Sequence, residues 1–351
     1  MQSKFSRRNL IAIIGQSKGF GGVQTVHNEI FNYYKSQGAD IYRVDNISSM
    51  FKFLFKLHVN RKNSIAYFSG ISVILSPLFL KCKKHVFFTH GFYVYDDYKK
   101  NLRRFSKKIT YKNIVKFSLF FYRWIYCIAP TPTSALFNQN LFSRRMYVVP
   151  WGVSKNIIKQ KISIKKDFTY HLTFLGRPNS QKLNLKYFEI ILKLFLNSKI
   201  VNRLSDLNIA FVVPYLNKDL NIILEIIKNK YKCSFKVLLN QNESKKIKIL
   251  SQSLYFFSCF EWEAFGLTYI EALCMGCNII IPSTSPILPI IDNIKNSPVN
   301  TFTPSYILKN KNFEIRNKLY STRQNKKQIE YYRSIFNWSS TINQIHKIIE
   351  L

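Results

Sequence analysis

The stretch Glu261-Trp262-Glu263-Ala264-Phe265-Gly266-Leu267-Thr268-Tyr269-Ile270-Glu271-Ala272-Leu273-Cys274-Met275-Gly276 decides how the chain is built. Before it, Leu254 to Cys259 is an apolar run of strand length, and after it Ile279 to Ile281 is another. Between them a helical pattern runs from Leu267 to Cys274 and opens at Gly266. Strand, helix and strand in this order form a crossover unit, which demands a parallel sheet covered on both faces. The first turn of such a helix has free amide N–H groups directed back towards the strand ends, a ready anion site. Glu271 lies on the same helix, one turn and a little beyond Gly266, where a carboxylate can accept hydrogen bonds from a sugar diol. Glu263 sits on the loop at the mouth. An ordinary helix N-terminus with acidic residues near it accounts for the same letters and stays open as the plainer reading.

Working outward, the alternation continues in both directions. Leu10 to Ile14 reads as a buried strand, followed by the glycine-rich turn Gln16 to Gly22 and a helix patterned on Val23, His27, Ile30, Phe31 and Tyr34 that closes at Gly38. Short strands recur at Ile41 to Val44, Ile65 to Phe68, His85 to Thr89, Tyr126 to Ala129 and Met146 to Val149. The pattern restarts at Leu172 to Gly176, with further strands at Ile209 to Val213 and Phe235 to Leu238 and helices across Asn184 to Leu196, Leu220 to Lys228 and Ser244 to Leu250. Two successive α/β halves fit better than one long sheet. The lysine-rich stretch Ile157 to Asp167 lacks strong periodicity, so the linker is expected there.

A chain of 351 residues has room for about two domains. Its 53 Lys and Arg against 18 Asp and Glu give a formal net charge of +35, while 47% hydrophobic content keeps it within the globular range. Apolar runs such as Val73 to Leu80 fall short of the roughly 20 residues of a membrane span, and Leu10 to Ile14 is too short for a signal peptide, so a cytoplasmic location is expected. Six scattered cysteines show no disulfide framework. Cys274 and Cys277 have metal or redox spacing, but no second such pair exists and no metal is expected. The positive excess attracts polyanions, whether nucleic acid, an anionic leaflet or phosphorylated substrates, and part of it reflects a composition rich in Lys, Asn, Ile, Phe and Tyr. Tyr98 to Lys112 is read as a basic membrane or acceptor surface. Phe117, Phe120, Phe121 and Trp124 are read as the inner face of a helix covering the sheet, and Asp96 and Asp97 as a helix cap.

These residues carry a resemblance. Glu263, seven residues, then Glu271 resembles the paired-glutamate motif of family four of the glycosyltransferases. Gly176-Arg177-Pro178-Asn179-Ser180-Gln181-Lys182 is similar to that family's Gly-Arg, four residues, Lys signature, and Val148-Val149-Pro150-Trp151-Gly152-Val153 to its closing strand, with Trp151 in place of the usual Asn. Gly21-Gly22 resembles its first glycine-rich loop, Thr89-His90-Gly91 its histidine after a strand, Thr131 to Ser134 its serine turn, and Phe336-Asn337-Trp338 with the tail its last helix. Each piece is weak alone; their joint order across the whole chain is what identifies the resemblance.

The resemblance implies an α/β chain of GT-B type, with two Rossmann-like α/β/α domains facing across a cleft. These would span 1–160, completed by a crossing helix at 335–351, and 168–330. It implies a retaining, metal-independent glycosyltransferase that takes a nucleoside-diphosphate sugar as donor. Arg177 and Lys182 would hold the diphosphate in place of a metal, Glu271 the ribose, Glu263 the donor sugar, and the amides of Phe265, Gly266 and Leu267 would face the phosphates. His90 would lie near the anomeric centre, and Gly21 and Gly22 would let the first domain's backbone approach the ligand. The acceptor would be a lipid-linked glycan of surface polysaccharide or lipopolysaccharide biosynthesis, with the basic first domain docked on the anionic membrane surface at the cytoplasmic leaflet. The sequence departs from the family at Ser283 to Ile290, where a glycine pair and Pro-Glu are usual and the Glu is absent. Two other classes remain: a non-enzymatic nucleic-acid binder, which no recognised motif supports and whose ligand is not expected here, and a catalytically inactive GT-B assembly partner. Sugar-nucleotide epimerisation has less motif support.

Overall fold

The computed structural model describes residues 9–15, 22–59, 63–90, 115–161, 168–178, 182–198, 200–260, 263–292, 297–303, 315–316 and 319–350. Gly21, Gly91, Asp96, Asp97, Tyr98 to Lys112, Asn179 to Gln181, Glu261 and Trp262 lie outside these. The chain divides into two compact units, 1–152 with 337–351 and 153–336.

The first unit runs β1 (Leu10–Ile14), α1 (Gly22–Ser36), β2 (Asp40–Val44), α2 (Ile47–Val59), β3 (Ser64–Ser69), a 3-10 helix (Gly70–Phe79), β4 (Lys84–Phe88), a helix over 115–121, β5 (Ile125–Ala129), α3 (Pro132–Phe142) and β6 (Met146–Val148). Its six strands are parallel in the order β2-β1-β3-β4-β5-β6. Strands β1 and β3 are buried along their whole length, which is why they read as unbroken apolar runs. The order reverses beside β1, and ligands of open α/β sheets gather at the carboxyl ends of strands at such a point.

The second unit runs α4 (Lys155–Lys159), β7 (Tyr170–Leu175), α5 (Leu185–Asn197), β8 (Asn208–Val213), α6 (Lys218–Ile226), β9 (Ser234–Leu239), α7 (Glu243–Ser251), β10 (Ser253–Phe257), α8 (Leu267–Cys274), β11 (Asn278–Pro282), α9 (Leu288–Ile291), β12 (Val299–Phe302), β13 (Ile315–Arg316) and α10 (Lys326–Ile335). The order is β13-β12-β11-β10-β7-β8-β9, with only the short edge strand β13 antiparallel. Helix α5 buries Tyr187, Phe188, Ile191, Leu192 and Phe195, one face at helical spacing, into a core shared with β7, β8 and β10. Asn184 caps it, accepting from the amides of Lys186 and Tyr187. The reversal here falls between β7 and β10, the two strands whose following loops carry the sequence motifs.

The last helix, α11 (Trp338–Glu350), belongs to the first unit. Tyr34 of α1 bridges Tyr67 of β3 and His346 of α11, donating or accepting at His346 Nε2 over 2.9 Å, with all three side chains buried. Gly152 lies against the start of α11, where a Cβ would run into the backbone of Asn337 and Trp338. Thr341 donates to the Pro150 carbonyl at 2.8 Å, and Val153 N–H donates to the Phe336 carbonyl at 3.0 Å, so each unit closes around its own end of the connection. Past this point Ile157, in the stretch read as linker, is buried within α4. Arg333 of α10 holds α4 by donating to the carbonyls of Ile158 and Gln160.

One expectation is overturned. Phe117, Phe120, Phe121 and Trp124 are exposed, and the buried side of their helix is made by Val115, Ser118 and Leu119. Near-continuous apolar letters hid the helical phase, because both faces carry large hydrophobic side chains.

Candidate functional site

In the second unit the site is assembled at the carboxyl ends of β7 and β10. After β7 the chain turns through Gly176, whose N–H donates to the Val212 carbonyl at 3.1 Å, into exposed Arg177 and buried Pro178. Asn217, the N-cap of α6, donates to the Pro178 carbonyl at 2.7 Å and fixes the path of this loop. Lys182 follows. Its Nζ donates to Glu263 Oε2 at 2.7 Å and lies 5.3 Å from the centre of the Phe260 ring. Both partners of the ion pair are roughly two-thirds buried, and the Lys182 carbonyl accepts from the Cys259 amide, so the loops after β7 and β10 are tied together twice.

Gly266 is the N-cap of α8 with φ of +71°, the left-handed region in which glycine is at ease. A side chain there is also blocked: its Cβ would fall 2.5 Å from the Tyr269 ring. That ring is itself positioned, its hydroxyl donating to Ser258 Oγ at 3.0 Å. The consequence is a helix start with no side chain at its mouth, leaving the amides of Leu267 and Thr268 open to an anion while that of Tyr269 donates to the Gly266 carbonyl. Phe265 beside it is buried against Phe336.

Glu271 stands one turn further along α8, partly accessible. Burial pushes its carboxyl up to about 7; the nearby Lys246 opposes this and Glu243 adds to it. Among the described residues no hydrogen bond or ion pair reaches this carboxyl, whereas Glu243 is itself held by Asn156 at 2.8 Å. Chemically the second unit offers a cation paired with a carboxylate, an exposed guanidinium, open helix amides and an under-solvated carboxyl that hydrogen-bond donors would stabilise in its charged form.

In the first unit the carboxyl ends of β1, β3 and β4 also converge. Gly15, after β1, has no room for a side chain: a Cβ would lie 2.9 Å from Ser69 Oγ and 3.1 Å from His27 Cε1. Ser69 Oγ and His27 Nε2 are hydrogen-bonded at 2.8 Å. His90, after β4, packs edge-on against His27 with ring centres 5.6 Å apart and against Trp151 at 4.9 Å. Both ring nitrogens of His90 are buried without a hydrogen-bond partner among the described residues. Burial first, and the His27 imidazole second, keep its pKa well below the ordinary range, and burial with nearby Arg43 lowers that of His27 to about 4. Both rings are therefore neutral at pH 7.

The structure thus brings Lys182, Glu263, Gly266, Leu267 and Glu271 together with Arg177 at one end of the second sheet, and sets His90 at the matching end of the first. Gly22 begins α1 as its first residue; Gly21 lies outside the described residues. Thr131 caps α3 through a reciprocal pair with Ser134, a structural role. Sequence reasoning missed His27 and Ser69 as companions of His90, since His27 fits the apolar spacing of α1, and missed Phe260 and Tyr269 as supports of the second site. Trp151, which stands where the resembled family has Asn, packs its ring on His90. Cys274 and Cys277 are buried free thiols, and no cluster of metal-ligating residues occurs among the described residues.

No family model and no curated protein sequence matches the chain. Solved structures do. Sucrose-phosphate synthase from Thermosynechococcus elongatus superposes with a TM-score of 0.67 at 12% identity, covering 98% of this chain and 98% of that one. The Anabaena HepE protein, solved in complex with UDP and glucose, gives 0.59 at 11% identity over 97% and 99% of the two chains. The catalytic domain of starch synthase IV from Arabidopsis thaliana, bound to ADP and acarbose, gives 0.59 at 12% over 98% and 99%. With two Rossmann-like units, a mostly parallel sheet in each and a last helix returned to the first, the chain has the GT-B fold of these sugar-transferring enzymes.

Proposed function

We propose that the chain is a retaining, metal-independent glycosyltransferase that moves a sugar from a nucleoside diphosphate to a hydroxyl of a lipid-linked glycan. The observation that carries this reading is the second unit's arrangement: the Lys182–Glu263 pair at 2.7 Å beside the open start of α8, with Glu271 one turn along. Glu271 accepts from the ribose hydroxyls, and the first-turn amides around Phe265, Gly266 and Leu267 meet the diphosphate. Lys182 and Arg177 offset the charge that grows on the leaving diphosphate, the largest share of catalysis in such a site. Glu263 exchanges Lys182 for hydroxyls of the donor sugar, and His90, neutral, offers a hydrogen bond near the anomeric carbon. No protein nucleophile is needed when the acceptor hydroxyl is held on the face of the sugar from which the leaving diphosphate departs. The UDP and ADP bound to structural neighbours support a nucleotide in this chain too. A role in surface polysaccharide or lipopolysaccharide synthesis, at the cytoplasmic leaflet, follows from a lipid-linked acceptor and the strongly basic chain.

The test is thermal stabilisation by UDP, GDP, ADP and CMP and their common sugar conjugates, without added metal, for wild type and Glu271→Ala. A shift of several degrees with one nucleotide class, lost in the variant, is the expected result. No shift with any nucleotide, together with tight RNA binding that survives the substitution, replaces the proposal with the nucleic-acid reading.

A further inference from the structure

Twelve of the twenty large apolar side chains exposed on the described residues fall on three stretches of the first unit. On α2, Ile47, Phe51, Phe55 and Val59 recur every fourth residue, a stripe about 18 Å long at 1.5 Å per residue, and Phe55 is 78% exposed. The 3-10 helix and its end present Ile74, Leu75, Leu78 and Leu80. The third stretch presents Phe117, Phe120, Phe121 and Trp124, with the Phe117 and Phe121 rings 4.4 Å apart.

These three stretches lie side by side. Their inner residues, among them Phe53, Leu57, Val73, Phe79, Val115 and Leu119, belong to one core cluster on one face of the sheet. Phe53 and Phe79 are in ring contact at 5.6 Å. Trp124 stands edge-on to His85, whose Nε2 bonds the Phe79 carbonyl at 2.8 Å, and this joins the third stretch to the second. Helices α1 and α11 meet the sheet through Tyr67, whose ring is on the opposite side from Ala66 and Phe68 of that cluster.

The charge on this face is one-sided. Residues 47–59, 70–84 and 115–124 carry Lys52, Lys56, Lys81, Lys83, Lys84, Lys116 and Arg123 and no Asp or Glu. Of these Lys56 is paired, with Asp40 at the sheet edge. Apolar side chains interleaved with cations, with Trp and Tyr among them, match the boundary of an anionic bilayer, where the apolar groups enter the acyl region and the cations meet headgroup phosphates. A second copy of this chain would instead set cations against cations. We propose that the outer side of α2, the 3-10 helix and residues 116–124 is the surface by which the protein lies on an anionic membrane. The inference gives the proposed lipid-linked acceptor a docking surface, and it stands on exposure and charge whether or not that reading holds.

The experiment needs no nucleotide. Purified protein is sedimented with vesicles of phosphatidylglycerol and phosphatidylcholine, or of phosphatidylcholine alone, at low and high salt. Expected are binding to the anionic vesicles that weakens with salt, and a blue-shifted emission on binding that Trp124→Phe diminishes. Phe51→Asp with Phe55→Asp is expected to lower the partition coefficient roughly tenfold or more. The control pair Leu196→Asp and Ile222→Asp, exposed on the second unit, leaves it unchanged. Unchanged far-ultraviolet dichroism and melting temperature show that the variants fold. Equal binding by the Phe51/Phe55 variant and wild type overturns the proposal. So does absence of binding to anionic vesicles, or a wild-type dimer in sedimentation velocity that this variant converts to monomer. A nucleotide shift that persists while vesicle binding fails would leave the donor site standing and remove only the surface.

Discussion

Glu271→Gln is expected to stabilise the empty protein and disable it in the same stroke. In the folded chain the Glu271 carboxyl titrates near 7 instead of its ordinary 4.5, chiefly because burial disfavours the charge. Between those two pH values the folded state holds a proton that the unfolded state has released, so stability falls as pH rises from 4.5 to 7 and is level above. The difference amounts to about 3 kcal/mol at pH 8, from 1.36 kcal/mol per unit of pKa. Glutamine has the same shape without the charge and escapes that cost. For a unit the size of Val153–Phe336, about 3 kcal/mol corresponds to roughly 6 to 12 °C in melting temperature, an upper figure because some solvent reaches the carboxyl. Differential scanning fluorimetry from pH 4.5 to 8.5 checks it: wild type and Glu271→Gln melt together at the acid end and separate above pH 7, with the variant higher. In wild type, nucleotide affinity falls as pH drops below 7, because the diol needs the carboxylate, while the variant binds weakly at all pH values. A variant no more stable than wild type at pH 8 that still binds nucleotide normally would refute both the electrostatic account and the ribose assignment.

Glu263→Gln releases Lys182 from its 2.7 Å ion pair, and a partly exposed pair of this kind is worth up to about 1 kcal/mol. Isothermal titration should then show nucleoside diphosphate binding roughly two- to fivefold tighter while sugar transfer drops, and weaker nucleotide binding by this variant argues against a diphosphate role for Lys182. Gly266→Ala combines a left-handed backbone with a Cβ in the Tyr269 ring, so a loss of about 2 kcal/mol or more and of nucleotide stabilisation is expected by denaturant titration. His27 and His346 both titrate near 4 when folded, because burial disfavours the imidazolium, against 6.5 when unfolded. Their contribution is therefore complete above pH 6.5 and lost as pH falls towards 4, and His346→Gln should flatten part of the acid limb of a stability profile.

The architecture was legible because parallel strands covered on both faces leave an unmistakable trace. Leu10–Ile14 and Ile279–Ile281 are apolar at every position since both faces are buried, Leu172–Leu175 departs from this only at Thr173, and the turns between them carry glycine where φ or space demands it. The residues gathered around the start of α8 were legible because four chemical types recur at fixed spacing around one helix start. The elements with weak traces were lost. Helix α2 has apolar side chains on its outer as well as its inner side, so its phase is blurred, and the same blurring inverted the reading of Phe117 to Trp124. Strand β12 includes Asn300 and Thr301, buried polar residues that break the apolar run by which its neighbours announce themselves. His27 and Ser69 are 42 positions apart and meet only through the sheet, so no local pattern can pair them.

The ion pair between Lys182 and Glu263 links these observations to function. The two side chains are partly buried and paired at 2.7 Å, so each faces an opposite charge. A cation and a carboxylate left facing an empty pocket would each carry a desolvation penalty; paired, they do not. On the proposed function a nucleoside-diphosphate sugar would bring partners for both, phosphate oxygens for Lys182 and hydroxyls for Glu263, so the donor would replace one satisfied arrangement by another. A bare nucleoside diphosphate satisfies only the cation and leaves Glu263 to water. On this reasoning the intact donor should gain more from Glu263 than the nucleotide product does, and the Glu263→Gln variant should lose that preference. Measured as the ratio of dissociation constants for nucleotide and nucleotide sugar, the preference for the sugar conjugate should shrink in the variant, and an unchanged ratio would remove Glu263 from the donor sugar.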